Sequence, residues 1–454
     1  MDLKGKNVIV VGLGASGIAA ARLCLRLGAV VTATDAKAES AVSEGARALA
    51  RDGARLVLGG HEGALFDEAD LIVVSPGVPS FAALEKAERA GVPVIGEVEL
   101  AVQSLHAPAK TAPLVAVGGT NGKSTVTSLI GALLEASQRR TFTGGNLGEP
   151  LANHVAEPWD AIVLEVSSFQ MERISSFAPR VGLLLNVTPD HLDRYPDVDA
   201  YARAKGNAFA KQKSSDLAVV PFGDAVCLRE ARRGAARVVT FGPGGDVDVT
   251  DTEVHHRASG ARYLRASFGI KGGHNALNVA AAVAAVTDLG VLPATIERVL
   301  REFQGLPHRM ALVSEIRGVR YYDDSKGTNV GAVVTALQGL VEPKAVLICG
   351  GRDKGGSYAP LVDALRAKGR AAVLIGEAAD AIATAIDNAV PVRLSPTLDD
   401  AVRAAAELAQ DGDAVILSPA CSSFDMFRDY KHRGDEFVRA VHALAASSAH
   451  EEAV

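Results

Sequence analysis

Val115 to Thr125 reads VAVGGTNGKST, an apolar run that passes through Gly118, Gly119, Thr120, Asn121 and Gly122 into Lys123, Ser124 and Thr125. The run predicts a buried strand, the glycines a loop, and the residues beyond them a helix start. In that setting the glycines let backbone N–H groups turn toward a phosphate chain, and the helix N-terminus adds its partial positive charge. Lys123 reaches the outer phosphates and the Ser124 hydroxyl is a ligand for Mg²⁺, so the stretch predicts an ATP site. Val117 stands where the strict phosphate-loop pattern has its first glycine, which makes this loop short.

A chain of 454 residues exceeds one ordinary core and predicts about three domains. The formal charge of -6 and the pI near 6.0 exclude a general pull toward nucleic acid or an anionic membrane, so neither is expected as a partner and any anion needs a local site. Cys24, Cys227, Cys349 and Cys421 are scattered without a CxxC, as reduced structural thiols of a cytosolic protein would be. The opening MDLKGKNVIVVG runs straight into a strand pattern, and no stretch stays apolar for the ~20 residues of a membrane span. A cytoplasmic monomer is expected.

Upstream, KNVIVVGLGASG (Lys6–Gly17) is a buried-type strand followed by G-x-G-x-x-G, with Asp35 closing a second strand, AVVTATD. The motif fits the pyrophosphate of any nucleotide diphosphate and leaves a nicotinamide-dependent dehydrogenase open, although hydride transfer needs no triphosphate site. Apolar runs at RLVLGG, LIVVSPG and PVIGEVEL continue the alternation of an open parallel sheet. Downstream of the phosphate loop, Glu165 lies inside an otherwise apolar strand and Asp190 and His191 stand just past another. A buried carboxylate needs a cation or a donor, so Glu165 and His191 are candidate Mg²⁺ ligands. Lys205 in YARAKGNAFAKQ reads by itself as a solvated helix lysine. Residues 238–269 read as antiparallel strands and loops, Gly273, His274 and Asn275 open an Ala-rich helix, and ALVSEIRGVRYYDD is a hairpin around Arg317 and Gly318. A third, doubly wound region follows, with Asp324, Lys326, Thr328, Arg352, Asp353, Lys354, Ser422 and Ser423 at its strand ends. The tail ALAASSAHEEAV is expected to fray.

The pieces GLGASG, SPGVP, GGTNGKST, GGNLG, LEVSSFQ, NVTPDHLDRY, YARAK, GGHNALN, GLPHRM, DDSKGTN, GGRDKGG and SPACSSFDMF run in order to about Tyr430. Together they resemble the Mur ligases of peptidoglycan synthesis, most closely the members that add D-glutamate; the DNPR motif of the diaminopimelate- or lysine-adding members is absent. Folylpolyglutamate synthetases share the central ATPase logic and differ in the flanking domains. The resemblance implies an α/β protein of three domains: a UDP-binding Rossmann-like domain (1–104), a central P-loop ATPase-like domain with a small antiparallel sheet (105–306), and a Rossmann-like amino-acid-binding domain (307–454).

It also implies the reaction. ATP phosphorylates the carboxylate of UDP-N-acetylmuramoyl-L-alanine, and D-glutamate attacks the acyl phosphate to form an amide. Lys123, Glu165, His191 and Lys205 are then the catalytic set. Gly119, Thr120, Asn121, Gly122, Lys123, Ser124 and Thr125 wrap the phosphates, while Asn275, Asn278, Arg309 and Asp324 match positions around the base and ribose. Ser124, Glu165, His191 and a carbamylated Lys205 match the Mg²⁺ positions. Ser16, Asp35, Lys37, Ser75, Gly77 and Asn146 match the UDP-sugar site. Asp190, Lys326, Thr328, Lys354, Ser422, Ser423 and Tyr430 match the D-glutamate site. Gly118 stands where relatives have Thr, and Ala36 and Lys37 stand where they have Thr and Arg.

Overall fold

Residues 1–107, 109–353 and 357–452 are described by a computed structural model with three sheets, one in each of the three stretches expected from the sequence. The first comprises β1 (Asn7–Val11), β2 (Val30–Asp35), β3 (Arg55–Leu58), β4 (Leu71–Val74) and β5 (Val94–Gly96), all parallel in the order β3-β2-β1-β4-β5. Val8 and Val10 pack into one apolar cluster and Ile9 and Val11 into another, so both faces are buried. That is why the strand reads as an unbroken apolar run. The order reverses between β1 and β4, where open α/β sheets place their ligands.

The second sheet has nine strands: β6 (Leu114–Gly118), β7 (Thr141–Gly145), β8 (Ala161–Glu165), β9 (Val181–Leu184), β10 (Leu217–Pro221), β11 (Arg237–Phe241), β12 (Val247–Val249), β13 (Glu253–His256) and β14 (Ala261–Leu264). Its order is β14-β13-β12-β11-β10-β9-β6-β8-β7. The antiparallel strands expected near residues 238–269 are β12 to β14, and they continue the parallel sheet through the Phe241–Val247 pair. The phosphate-loop strand β6 lies between β9 and β8, with Val117 beside Glu165 and Gly118 beside Leu184.

The third sheet comprises β15 (Ala311–Ile316), β16 (Val319–Asp323), β17 (Ala345–Gly350), β18 (Gly369–Ile375), β19 (Val392–Leu394) and β20 (Ala414–Leu417), in the order β15-β16-β20-β17-β18-β19. The β15–β16 hairpin turns at Arg317 and Gly318, both with positive φ (49° and 73°), the turn whose twist matches paired strands.

Two expectations are corrected. PVIGEVEL is not a strand throughout: β5 ends at Gly96 and a helix, Glu97–Gln103, takes over. The tail is helical to Glu452, in keeping with its alanines and glutamates. All four cysteines are free and buried, and among the described residues no helix is long and apolar enough to cross a membrane.

The chain forms two compact units, Met1–Val187 with Tyr201–Phe268 and Leu277–Phe303, and Thr188–Ala200 with Gly269–Ala276 and Gln304–Val454. The first holds two sheets because the helix Glu97–Gln103 ties them together. Glu99 accepts hydrogen bonds from the Ser175, Ser176 and Phe177 amides at 3.0, 2.8 and 3.1 Å, and Glu97 Oε1 accepts one from the Ala152 amide at 2.9 Å. Burial raises the Glu99 pKa, but the hydrogen bonds from Ser176, Gln103 and Ser175 outweigh it and hold the carboxyl below its ordinary value. Glu97, with fewer donors, is pushed by burial up to about 7 against the pull of the Ala152 amide.

Candidate functional site

β6 delivers the phosphate loop and the helix Lys123–Ala136 leaves it. Gly122 has φ +84°, and a Cβ there would lie 2.5 Å from Asn278 Oδ1, so the position requires glycine and Asn278 abuts the loop. Lys123 Nζ donates to the Thr120 carbonyl at 2.8 Å. Ser124 is buried at the helix start.

On one side of the loop, Glu165 closes β8 at 2 % exposure, and its Oε1 accepts from Asn146 Nδ2 at 2.7 Å. Asn146, expected near the sugar substrate, is thus tied to the candidate metal ligand. Lys205 is not the solvated lysine its local sequence indicates. It is 4 % exposed, donates to the Gly119 carbonyl at 2.9 Å and lies 4.3 Å from the centre of the Tyr201 ring. A carbonyl acceptor and an aromatic face both suit an ammonium. The Tyr201 hydroxyl accepts from Thr120 Oγ1 at 3.4 Å.

On the other side, the chain leaving β9 runs along the loop. The Leu185 amide donates to Gly118 O at 3.0 Å and the Thr120 amide to Asn186 O at 3.0 Å. Asn186 Oδ1 also accepts from the Thr120 and Asn121 amides at 3.1 and 2.8 Å, and its Nδ2 donates to Asn121 O at 3.1 Å. NVTPDH stands out in the sequence, but nothing local to it gives Asn186 a role.

The N-terminal loop is built similarly. Asp35 Oδ2 accepts from the Leu13 amide at 2.7 Å and its Oδ1 from the Lys37 amide at 2.9 Å, while Ser75 donates to Gly12 O at 2.7 Å. A Cβ on Gly17 would lie 1.8 Å from Gly12 O, so glycine there lets the helix Ala15–Arg26 approach the loop. Ser16 stands in that helix's first turn, and Gly77 has φ +85° just past β4.

In the second unit, Asp190 accepts from the His191 amide at 3.0 Å and from Asn329 Nδ2 at 3.3 Å, and His191 has φ +56°. Asp190 and His191 line a cavity of about 270 Å³ with Asn329, Val334, Asp353 and Tyr358. Of the described D-glutamate candidates only Asp190 lines it.

Asp324, just past β16, accepts from Ser418 Oγ at 2.6 Å. Burial pushes its pKa up to about 7, opposed by the Ser418 hydroxyl and the Arg309 charge. Lys326 Nζ lies 3.9 Å from the centre of the Tyr430 ring, and the Thr328 amide donates to Lys326 O. Arg352 and Ser422 pair as an antiparallel bridge, with Ser423 buried beside it. Lys354 lies outside the described residues.

Arg433, missed from the sequence, is 0 % exposed and donates to Ser325 Oγ at 3.0 Å and Ser325 O at 2.8 Å. It holds the turn after β16, and nothing in the local sequence DYKHRGDEF marks it as buried. Asn275 Nδ2 donates back to Lys271 O at 2.8 Å in the same unit, so this amide bonds a backbone carbonyl ahead of the helix. Asn278 belongs to the first unit, and Asn275, Arg309 and Asp324 to the second.

Three family models match in chain order: the Mur ligase MurD-like N-terminal domain over residues 6–96, the Mur ligase middle domain over 117–286, and the Mur ligase glutamate ligase domain over 308–421. Curated relatives include the UDP-N-acetylmuramoylalanine–D-glutamate ligase of Geobacter metallireducens, 45% identical with 98% of this chain and 99% of the relative covered. The enzyme of that name from Anaeromyxobacter dehalogenans is 46% identical over 96% and 98%. Among solved structures, MurF ligase of Thermotoga maritima in complex with ADP aligns with a TM-score of 0.64 at 19% identity, covering 98% of this chain and 97% of that one. At that identity the likeness speaks for the fold, whereas the curated relatives match end to end. By those relatives and the three domain matches, this chain belongs to the Mur ligase family.

Proposed function

We propose that this chain is the ATP-dependent ligase that joins D-glutamate to UDP-N-acetylmuramoyl-L-alanine in peptidoglycan precursor synthesis. The observation that carries the reading is the phosphate loop clasped between Asn186 and Lys205 with Glu165 beside it, in a chain whose full-length relatives bear that enzyme's name. A carboxylate oxygen of the alanyl group attacks the γ-phosphorus and ADP departs. The amine of D-glutamate then attacks the acyl carbon, inorganic phosphate leaves, and the amine loses a proton to give the amide. Lys123 supports the phosphoryl group in transfer, where positioning and charge neutralisation are most of catalysis.

The Ser124 hydroxyl and the Glu165 carboxylate are hard oxygen donors beside the loop and fit Mg²⁺, which keeps few protein ligands and shares phosphate oxygens. When bound, the ion neutralises phosphate charge. By the family resemblance, His191 would hold a second Mg²⁺. Carbamylation of Lys205 would replace an ammonium with an anion and give up its bond to Gly119 O; loss of activity in carbon dioxide-depleted buffer tests it. The UDP-sugar is assigned to the N-terminal loop with Ser16, Asp35, Lys37, Ser75 and Gly77 and to Asn146, and D-glutamate to Asp190, Lys326, Thr328, Lys354, Ser422, Ser423 and Tyr430. Four free thiols suit a reducing cytoplasm.

The experiment is mass-spectrometric detection of product from ATP, Mg²⁺, the UDP-sugar and a panel of amino acids. Product with D-glutamate alone supports the reading. Equal product with L-glutamate, or phosphate release with NAD in place of the UDP-sugar, overturns it.

A further inference from the structure

The phosphate loop carries a feature that simple phosphate cradling does not explain. Two of its amides, Thr120 and Asn121, already face an acceptor of the protein, Asn186 Oδ1, at 3.1 and 2.8 Å. The same side chain returns a hydrogen bond to Asn121 O at 3.1 Å, and the Asn186 carbonyl takes the Thr120 amide at 3.0 Å. One residue thus meets both backbone polar groups of Asn121 and the amide before it. Asn186 is itself fixed, because the segment leaving β9 continues its pairing with β6 through Leu185 and Gly118.

We infer that Asn186 is a positioning residue for ATP: it holds the phosphate loop in its binding shape before nucleotide arrives. The physical basis is preorganisation. A loop with two glycines at positive φ, Gly119 at 142° and Gly122 at 84°, has many alternative backbone conformations, and ordering them on binding would weaken affinity. Asn186 removes that freedom through its side-chain bonds. The Thr120 and Asn121 amides are both held on Asn186 Oδ1, next to the first turn of the helix Lys123–Ala136, whose N-terminus favours phosphate. An asparagine suits this place because its amide offers an acceptor and a donor without charge. An aspartate would keep the acceptor, lose the donor and set an anion beside the phosphates.

The inference rests on the ligase reading for its kinetic test, and a second measurement does not. In full-length Asn186→Ala, KM for ATP and the Kd for ADP with Mg²⁺ should rise roughly ten- to a hundredfold, as loss of two or three backbone hydrogen bonds implies. KM for the UDP-sugar and for D-glutamate should stay within about twofold. Asn186→Asp should protect the loop but still weaken ADP binding. A nucleotide KM within twofold of the parent, or an equal rise for all three substrates, overturns the positioning role. Failure of the parent to form product would instead strike the ligase reading. Independently of any variant, hydrogen exchange of the unliganded protein should find the Thr120 and Asn121 amides protected, with little added by ADP. Free exchange that slows only when ADP binds would sink the inference.

Discussion

The two glycine loops of the first unit share a strand-loop-helix plan and differ in the charge of what holds them. Around Gly12 to Gly17 the amide acceptor is the Asp35 carboxylate and the carbonyl donor is the neutral Ser75 hydroxyl. Around Gly119 to Lys123 the amide acceptor is the neutral Asn186 and the carbonyl donor is Lys205. Each loop therefore has a side-chain acceptor on two backbone N–H groups and a side-chain donor on a glycine C=O, but the first is braced by an anion and the second by a lysine that is a cation only while it is not carbamylated. A triphosphate carries more negative charge than the diphosphate of a UDP-sugar, so the loop whose amides are held by a neutral side chain in place of a carboxylate is the better electrostatic match for ATP. Similar glycine patterns in sequence thus become unlike sites through residues that lie far away along the chain.

Removing charge from the second loop should have the largest effect. Lys123→Ala should lower kcat at least a thousandfold while the protein stays folded, because the cation acts on developing phosphoryl charge. Single-turnover measurements with ATP check it, and a loss under tenfold would leave Lys123 a loop brace through Thr120 O and no more. Next comes Lys205. Lys205→Gln keeps a donor for Gly119 O and removes the charge, and kcat should fall on the order of a hundredfold, about 3 kcal/mol. If Gln retained activity within about threefold, neither the ammonium of Lys205 nor its carbamylation would be needed, and the contrast between the loops would reduce to hydrogen bonding.

Much of this arrangement was legible in the sequence and some was not, for identifiable reasons. Strands buried on both faces, such as NVIVV and AVLICG, read as apolar runs, so the sheets and the loops at their ends could be placed. The Arg317-Gly318 hairpin announced itself by alternation around a turn. Lys205 could not be recognised as buried, because YARAK has the local pattern of an exposed helix and the acceptor, Gly119 O, is 86 residues away. Asn186 is 66 residues from Thr120, and its role follows from β9 lying beside β6, which no local pattern states. Glu97 and Glu99 were absorbed into an apparent strand because their partners lie in the following region of the chain.

The first loop should respond differently. In Asp35→Asn one amide acceptor is kept, but the other carboxylate oxygen becomes an NH₂ group facing the Leu13 or Lys37 amide. KM for the UDP-sugar should rise roughly tenfold, about one charge-assisted hydrogen bond, with KM for ATP unchanged. Steady-state kinetics in each substrate decide it. A rise in the ATP KM of similar size would mean that the loops are not independent sites.

The smallest effect belongs to the joint that carries both loops on one unit, and it appears in stability with catalysis untouched. Glu97 is 1 % exposed and its Oε2 meets no hydrogen-bond partner among the described residues, while the Ala152 amide serves Oε1. Burial lifts its pKa from 4.5 to about 7 in the folded protein, so the folded state binds a proton more tightly than the unfolded chain. Below about pH 4.5 the group is protonated in both states and its contribution is flat. Between about pH 4.5 and 7 the folded state keeps a proton that the unfolded chain has released, so stability declines as pH rises; above about 7 the loss is complete. Glu97→Gln keeps the acceptor for Ala152 and cannot ionise. It should therefore match the parent near pH 4 and exceed it at pH 8 by roughly 1–2 kcal/mol, part of the shift being absorbed by relaxation around the charge. Urea unfolding at the two pH values measures this. A variant less stable than the parent at pH 8, or equally displaced at both pH values, would mean that the Glu97 carboxylate is satisfied as an anion and strengthens the joint as Glu99 does.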